Sequence, residues 1–468
     1  DLSPGRGQGV GHIQSNSKVS DLNENLMDKA NPSTGKKSLL LWFIFSIYII
    51  LAIATATQNI LISGKPDKNG GLTMKYNNYL IFKYAHFNLV NGANLYKLHH
   101  GQAKDYYKYS PAFALLFGIL AHFIDFIGLN LWNLINVLVL FFSILLLPGI
   151  RGKDKAWILL FIMVELVTTT QNSQSNALIA GLLVMAFALM ERKSFFLATL
   201  LIVLSIYIKI FGALALIFIL FYPGKKKIMA YTLFWSILFF FIPLLVIPWN
   251  QLSFLYQQWF DLLRLDQSAS VGISVLGILQ MLFPSAGIKN SLVVIVGFLV
   301  FLFPLIFRIP LIPSDNWIWK KLFIKNRLNE STSSPSPLLL KEKGMGVEVN
   351  VGHKDSYSRF KNLSLASILI WIIIFNHKAE SATFIIAMTG IAIWYFTGTK
   401  GYFNLTLLII AFIVTSLFST DILPVEFRDQ YIVPYNLKVI PCTLVWFNVL
   451  IEMIFTKHQP PQNLELKP

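Results

Sequence analysis

Uninterrupted apolar runs constrain this chain most strongly. The first run, LLLWFIFSIYIILAIATATQNILI, starts at Leu39. Several later windows hold about 18 or more residues almost free of charge, the length that an α-helix needs to cross a bilayer. Because these runs are continuously apolar and do not alternate with polar residues, they favour transmembrane helices over a β-barrel. The sequence therefore predicts an all-α, polytopic membrane protein.

Composition limits the partners and cofactors that this chain is expected to use. The net charge is +16, and we expect the Lys and Arg residues to lie mainly on cytoplasmic loops beside membrane lipid, so no nucleic-acid partner is predicted. The single cysteine, Cys442, excludes an internal disulfide and a Cys-based metal cluster. There is no HExxH, GxSxG or P-loop motif, and the histidines lack metal-ligand spacing. We expect no metal and no other cofactor.

Basic clusters predict the topology. Lys36 and Lys37 precede the first run, which places the N-terminus in the cytoplasm by the positive-inside rule. Letting the later clusters mark the cytoplasmic side gives about 12 transmembrane helices and two cytoplasmic termini, as in a multi-pass protein of the cell membrane. The predicted spans are 39–62, 129–148, 156–171, 174–190, 194–208, 209–223, 228–248, 290–308, 363–376, 381–397, 402–419 and 435–455.

One apolar segment is left out of this count. If residues 112–127 crossed the membrane, the basic cluster at 151–155 would face outside, so we predict an extracytoplasmic interfacial helix there. The predicted organisation is a disordered cytoplasmic tail (1–37), an N-terminal membrane part (38–310) with its first extracytoplasmic loop (63–128), a flexible cytoplasmic insertion (311–362), a C-terminal membrane part (363–456) and a cytoplasmic tail (457–468).

On this topology the polar residues that are hard to explain as solvated loops gather at the extracytoplasmic ends of the spans. They are Asn77, Asn78, Lys83, His86, Lys108, Tyr109, Gln171, Asn172, Gln174, Asn176, Lys209, Gln257, Arg264, Asp266, His377, Lys378 and Glu380. A channel or proton-coupled carrier needs charges near the bilayer midplane, where Glu165 is the main exception to an apolar interior. The one-sided gathering favours a site at the outer interface.

Each candidate also has a plain structural explanation. Asn78 could cap a predicted interfacial helix over 80–91, which Gly92 would end. The tyrosines at 106, 107 and 109 could form an aromatic belt.

The later candidates are equally open to two readings. Lys209 could extend to the interface or offer a fixed cation to a phosphate. His377, Lys378 and Glu380 could be exposed loop residues or a titratable cluster. The amides of TQNSQSN suit hydroxyl-rich ligands and are equally usual in a turn.

Several short stretches resemble the motifs of one family. NYLIF (78–82), GANLY (92–96, ending in Tyr96) and KYSP (108–111) resemble the Asp-Phe-x-Val-Tyr, Gly-x-x-Leu-Tyr and Tyr-x-Tyr-x-Pro motifs of the polyprenol-phosphate-mannose-dependent mannosyltransferases, glycosyltransferase family 87 of the GT-C fold. QNSQSN (171–176) is similar to the Gly-Gln-Asn-Asn-like motif of that family. Lys209 and His377 fall where the family has a Lys and a late His, and the resemblance covers about residues 39–420.

The resemblance implies a twelve-span enzyme with its site at the outer membrane face. Such an enzyme moves a hexose, in this family mannose, from a polyprenyl-phosphate donor to a hydroxyl of a glycan or glycolipid acceptor, with inversion. Cations stabilise the leaving phosphate, and Lys209, Arg264 and Lys378 are the candidates here. Asn78 and His377 take the catalytic positions. The candidate substrate-binding residues are Lys83, Tyr96, Lys108, Tyr109, Gln171, Asn172, Gln174, Asn176, Lys209, Arg264 and Glu380.

One position departs from the family pattern. Asn78 stands where the family has its acidic base, and an amide cannot accept a proton there. Either His377, Asp105 or Glu380 serves as base, or Asn78 only orients the acceptor. A non-catalytic membrane protein, such as a lipid-linked glycan carrier or a partner subunit, is the alternative from another class.

Overall fold

The computed structural model describes residues 32–64, 74–99, 101–266, 271–308, 351–420, 424–432 and 434–455. Within these ranges the chain is helical and contains no β-strand, as the sequence predicts. Most of the predicted N-terminal tail and of the insertion, and all of the C-terminal tail, lie outside the described residues.

The α-helices are numbered here in chain order. They are α1 (Pro32–Ile62), α2 (Asn77–Val90), α3 (Pro111–Leu116), α4 (Gly118–Ala121), α5 (Asp125–Leu146), α6 (Gly152–Gln171), α7 (Asn176–Glu191), α8 (Phe195–Ile208), α9 (Lys225–Phe241), α10 (Trp249–Asp266), α11 (Val275–Leu282), α12 (Asn290–Arg308), α13 (Val351–Ile374), α14 (Phe384–Thr397), α15 (Tyr402–Ile410), α16 (Val425–Phe427) and α17 (Val439–Phe455). Short 3-10 segments cover Ile210–Phe221, Ile242–Leu245, Pro284–Ala286, Ser381–Thr383 and Leu417–Ser419, and π-helical turns cover Ala411–Ser416 and Arg428–Ile432.

Several of these helices are long and apolar, which marks the chain as a membrane protein. Among the described residues, four segments are long and apolar enough to cross a bilayer: Leu39–Ile62, Asp125–Leu146, Lys225–Leu245 and Tyr357–Ile374. Each of the twelve predicted spans falls on a helix or on successive helices. Most of those helices are shorter than the roughly 20 residues that a perpendicular crossing needs, so the count of twelve is not confirmed.

Local geometry explains why some predicted spans coincide with helices that are too short or begin elsewhere. The predicted span at 209–223 is a 3-10 helix, Ile210–Phe221. Twelve residues of 3-10 helix extend about 24 Å, against about 18 Å in an α-helix. The predicted span at 363–376 is the end of a longer helix that begins at Val351. The helices therefore start and stop at positions that apolar composition alone does not mark.

The segment predicted as the first extracytoplasmic loop differs in detail from its prediction. The single interfacial helix expected at 112–127 is instead α3 and α4, and α5 already begins at Asp125. Helix α2 runs from Asn77 to Val90, so Asn78 lies inside its first turn and does not cap it. Gly92 follows the end of α2 with φ of +73°, a conformation that favours glycine, as predicted.

Two close helix contacts set the centre of the bundle. A Cβ atom added at Gly181 of α7 would lie 2.7 Å from the backbone nitrogen of Leu140 in α5. One added at Gly390 of α14 would lie 2.7 Å from the backbone oxygen of Ala366 in α13. Small residues at such positions let membrane helices pack backbone to backbone. Helices α7 and α14 are buried along most of their lengths.

The chain divides into two compact units, Asp1–Ile47 and Tyr48–Pro468. The described part of the first unit is the beginning of α1, where the Trp42 and Phe45 rings meet edge to face at 5.7 Å. The second unit contains every residue of the candidate site described below.

Candidate functional site

A tight turn between α6 and α7 organises the polar residues. Helix α6 ends at Gln171 and α7 begins at Asn176, so the chain reverses within four residues. Ser173 takes a left-handed φ of 53°, and its carbonyl accepts a hydrogen bond of 2.9 Å from Trp132 Nε1. Gln171 and Asn172 remain exposed, whereas the four residues from Ser173 to Asn176 are buried. The turn therefore leaves the side-chain amides of Gln171 and Asn172 exposed and buries those of Gln174 and Asn176.

The buried side of the turn forms a continuous polar chain. Lys209 Nζ donates to Asn176 Oδ1 at 2.6 Å. Asn176 Nδ2 donates to Gln174 Oε1, and Gln174 Nε2 donates to Glu380 Oε2 at 2.6 Å. We call these four residues the Lys209–Glu380 chain. It joins a partly buried ammonium to an exposed carboxylate through two amides.

Helix ends position Lys209. Helix α8 stops at Ile208, Lys209 adopts an extended conformation with φ −139° and ψ 117°, and the 3-10 helix starts at Ile210. Its ammonium lies 6.0 Å from the ring centroid of Tyr109 and 5.7 Å from that of Phe211. Rings at this distance stabilise a cation without neutralising it.

Tyr109 is fixed from two sides. Its ring packs edge to face on Phe82 at 4.8 Å, and its carbonyl accepts a 2.9 Å hydrogen bond from Tyr96 Oη. Burial is the main cause that raises the pKa of Tyr109 well above its usual value. The hydroxyl therefore stays protonated and able to donate at neutral pH.

Ser110 ties the first loop to α8. Its Oγ donates to the carbonyl of Tyr207 at 2.6 Å and accepts from the amide of Phe113, so it also caps α3. Tyr107 is buried and donates to the Ser110 carbonyl at 2.7 Å. Tyr107 is thus buried and Tyr109 half-buried, while Tyr106 is exposed.

The segment 377–382 supplies the carboxylate end of the chain. The amides of Gly272 and Ile273 donate to the carbonyls of His377 and Ala379, at 2.6 and 2.8 Å. The carbonyl of Ala382 accepts from Thr169 Oγ1 at 2.6 Å and from Asn176 Nδ2 at 2.9 Å. These bonds hold Glu380 at a fixed place beside the α6–α7 turn.

The exposed side of the turn borders a cavity of about 960 Å³. We call it the outer cavity, because the sequence predicts that Gln171 and Asn172 face the extracytoplasmic side. Its described lining comprises Gln58, Asn59, Ile62, Lys75, Val164, Val167, Thr168, Gln171, Asn172, Ile273, Ser381, Leu417, Thr420, Arg428, Ile432 and Lys438. Ser381, which follows Glu380, belongs to this wall, so one short segment separates the cavity from the Lys209–Glu380 chain.

A buried ion pair stands in the wall of the cavity. Lys438 Nζ lies 2.8 Å from Glu165 Oε1, and both side chains are almost fully buried. The same ammonium donates to Ser381 Oγ at 2.8 Å and to the Ser381 carbonyl at 3.2 Å. Lys438 therefore connects α17, α6 and the segment that carries Glu380.

The other predicted site residues lie apart from the Lys209–Glu380 chain. Asn78 Nδ2 donates to the Asn172 carbonyl at 2.9 Å, beside the outer cavity. Lys83 pairs with Asp125 at 2.6 Å. His377 Nδ1 lies 3.1 Å from Asn290 Nδ2.

Three further candidates make only local contacts or contacts through the backbone. The carbonyl of Lys108 accepts from Trp259 Nε1 at 3.1 Å. Arg264 is 81% exposed and lies 3.8 Å from Asp261. Asp105 is exposed, and its Oδ1 accepts from the following amide of Tyr106. The structure thus brings together Tyr109, Gln174, Asn176, Lys209 and Glu380 in one place, and Asn78, Gln171 and Asn172 in another.

The sequence did not single out the cationic residues of the cavity wall, Lys75, Arg428 and Lys438, or its amides Gln58 and Asn59. One signal was available for Lys438. Glu165 and Lys438 each fall inside a predicted span, and an ionisable group in a membrane helix needs a partner. The others lie at helix ends or in loops, where polar residues carry no such signal.

The comparisons with known proteins agree with the motifs. The sequence model of glycosyltransferase family 87 matches residues 107–317. No curated protein matches the chain. The matched region contains Tyr109, the α6–α7 turn and Lys209, whereas Asn78 and Glu380 lie outside it. The family resemblance is therefore confirmed over residues 107–317, which match glycosyltransferase family 87, a family of GT-C-like membrane glycosyltransferases.

Proposed function

We propose that this protein transfers a hexose from a polyprenyl-phosphate donor to a hydroxyl of a glycan or glycolipid acceptor at the extracytoplasmic face of the cell membrane. Mannose is the sugar that the motif resemblance favours. The observation that carries the proposal is the Lys209–Glu380 chain, which sets a cation and a carboxylate at fixed places within and beside a glycosyltransferase family 87 region.

The Lys209–Glu380 chain supplies the two charges that the reaction needs. The acceptor oxygen attacks the anomeric carbon while the bond from that carbon to the phosphate oxygen breaks. Negative charge then grows on the leaving polyprenyl phosphate, and Lys209 stabilises it as a preorganised cation. The acceptor hydroxyl loses its proton to a carboxylate as the new glycosidic bond forms.

Glu380 is the group best placed to take that proton. It is the carboxylate joined to Lys209, and Gln174 orients it with a hydrogen bond of 2.6 Å. His377 is engaged with Asn290, and Asp105 accepts from its own loop. Asn78 donates to the turn at Asn172 and so would orient the acceptor without acting as base.

The outer location rests on charge. Helix α9 begins with Lys225, Lys226 and Lys227, at the opposite end of the 3-10 helix from Lys209. The positive-inside rule favours a cytoplasmic position for such a cluster, which would put Lys209 toward the extracytoplasmic side. With the twelve predicted spans, both termini would then lie in the cytoplasm. The remaining candidates, including Lys83, Lys108 and Arg264, would contact the substrates only at the periphery of the site.

The test is a transfer assay with purified protein in proteoliposomes. Radiolabelled mannose on polyprenyl phosphate is supplied together with membranes from cells that lack the protein, and labelled product is measured. We expect Lys209→Ala to lower transfer by about tenfold or more and Glu380→Gln by about a hundredfold. The same assay with polyprenyl-phosphate glucose tests the identity of the sugar.

Lys289→Gln is the matched control, because Lys289 is exposed and belongs neither to the Lys209–Glu380 chain nor to the described lining of the outer cavity. It should transfer at the wild-type rate. Equal transfer by wild type, Lys209→Ala and Glu380→Gln would refute the roles given to these residues.

A non-catalytic membrane protein is the second candidate, and the amide at Asn78 favours it. A lipid-linked glycan carrier or a partner subunit would release no label from the donor. Wild-type protein that transfers none of several polyprenyl-phosphate sugars, yet retains donor lipid through purification, would establish this second function instead.

A further inference from the structure

The side chain of Lys438 reaches the segment that follows Glu380. Its ammonium lies 2.8 Å from Glu165 Oε1 and donates to the hydroxyl and the carbonyl of Ser381, at 2.8 and 3.2 Å. These three oxygens match the three hydrogens of an ammonium group. The same Nζ lies 5.0 Å from the ring centroid of Phe384, the first residue of α14. Lys438 therefore contacts the chain directly after Glu380 and again where α14 begins.

Stability alone does not account for a lysine at this position. Lys438 is 2% exposed and Glu165 is fully buried, and ionisable side chains are costly inside a membrane protein. Apolar residues of similar volume often replace a buried ion pair without loss of stability. An apolar side chain, however, cannot donate to Ser381. What the lysine adds is a pair of hydrogen bonds to the residue next to the proposed base.

The backbone of Lys438 is held as well as its ammonium. Its carbonyl accepts a hydrogen bond of 3.0 Å from Thr415 Oγ1. Thr415 is fully buried and lies in the π-helical turn Ala411–Ser416, a type of turn that is frequent at functional sites. Helix α17 begins at the next residue, Val439. Because both of its ends are held, the Lys438 side chain forms a rigid support.

Glu380 needs such a support. Gln174 Nε2 donates to its carboxylate at 2.6 Å, and the amide of Thr383 donates to its carbonyl at 2.9 Å. A hydrogen bond at the tip of a glutamate does not fix the backbone from which the long side chain extends. The bonds from Lys438 to Ser381 fix that backbone at the adjacent residue. Together the three restraints define where the carboxylate lies.

We propose that Lys438 is a positioning residue for the reaction. It holds the backbone of Ser381 and thereby places the Glu380 carboxylate where it takes the proton of the acceptor. This inference rests on the proposed function for the role of Glu380. A misplacement of about 1 Å can cost about a hundredfold in rate. The loss should appear in kcat and leave KM nearly unchanged, because the base acts in the chemical step.

The first test compares two double variants that each remove a largely buried ion pair. Glu165→Leu/Lys438→Met should lower kcat in the transfer assay by about tenfold or more, with the KM for the donor within about twofold of wild type. Glu191→Leu/Lys361→Met is the matched control. Its ion pair, of 2.5 Å, joins α13 to the opposite end of α7 from Asn176, so this variant should keep the wild-type kcat. An equal loss in both double variants would overturn the proposal.

A single substitution tests the same contact with the ion pair left intact. Ser381→Ala removes the hydroxyl that accepts from Lys438 at 2.8 Å, and it should lower kcat by about threefold. Ser381→Thr keeps a hydroxyl and should restore most of the activity. A threonine variant no more active than the alanine variant would overturn positioning through this hydroxyl.

Amide hydrogen exchange of the full-length protein in detergent, without substrate, measures the hold on the segment directly. The amides of Ala379 and Thr383 are hydrogen-bonded to nearby carbonyls, so their exchange rates report how firmly the segment is held. Peptides that cover residues 378–384 should exchange faster in the double variant that lacks Lys438, and at the wild-type rate in the control double variant. Unchanged exchange in the variant that lacks Lys438 would overturn the inference.

Glu380→Gln separates this inference from the proposed function. Slow transfer by Glu380→Gln combined with wild-type transfer by Glu165→Leu/Lys438→Met would overturn the positioning role of Lys438 alone. Wild-type transfer by Glu380→Gln would instead refute the proposed role of Glu380. In that case faster exchange would show that Lys438 fixes the segment without serving the reaction.

Discussion

Lys438 and Glu165 form an ion pair of 2.8 Å in which both side chains are almost fully buried. The pair joins α17 to α6, and Lys438 also holds Ser381 through two hydrogen bonds. Burying two charges often costs more desolvation free energy than a single ion pair regains by attraction. Removing one partner therefore destabilises a protein far more than replacing both by apolar residues. The pair thus places the 380–382 segment while adding little net stability.

Glu165→Gln should destabilise the protein by about 3–5 kcal/mol, because it leaves the buried ammonium of Lys438 without its counter-charge. Glu165→Leu/Lys438→Met should recover most of that loss. Thermal unfolding in detergent, followed by intrinsic tryptophan fluorescence, measures both. A double variant less stable than Glu165→Gln would show that the charges themselves stabilise the fold.

Gly181→Ala should destabilise the protein by about 1–3 kcal/mol, because the new methyl group would meet the backbone of Leu140 at 2.7 Å and force α7 away from α5. Gly152→Ala is the control, since a Cβ there meets no atom within 4 Å. The unfolding midpoints of the two variants should differ clearly. Equal midpoints would mean that α7 can shift without cost.

The stability of the protein should fall as the pH falls from about 7 to about 5, in part through His86. Burial is the main cause that lowers the pKa of His86 below its usual 6.5, and the facing ring of His122 lowers it further, while the Ala114 carbonyl opposes this. As the pH falls, the histidine of the unfolded chain therefore takes up a proton before His86 of the folded protein does. The contribution of neutral His86 to stability is fully present above the usual pKa of 6.5 and is lost as the pH falls below it.

His86→Gln should flatten that pH dependence, since an amide can still donate to the Ala114 carbonyl but does not titrate. His99→Gln, which alters a half-buried histidine of the same loop, serves as control. The unfolding midpoint of each variant is measured at several pH values between about 5 and 7. An unchanged slope in His86→Gln would assign the pH dependence to other groups.

Local pattern in the sequence predicted much of the fold. The apolar runs gave the helices, and Gly92 marked the end of α2 because glycine adopts a positive φ at little cost. The motif residues at 108–111, 171–176 and 209 lie in the region that matches glycosyltransferase family 87. Helix boundaries were less accurate. The start of α5 at Asp125 and the 3-10 form of Ile210–Phe221 depend on packing against neighbouring helices, which composition does not report.

For the candidate site, too, the sequence and the tertiary structure determined different things. The sequence by itself determined which residue types were available: a lysine between two apolar helices, amides in a turn, and a carboxylate in a late loop. Tertiary structure alone decided that Gln174 reaches Glu380 across 206 residues of chain, whereas Lys83 pairs with Asp125 elsewhere. A hydrogen bond needs its two atoms within about 3 Å of each other, and only the packing of distant helices fixes that separation.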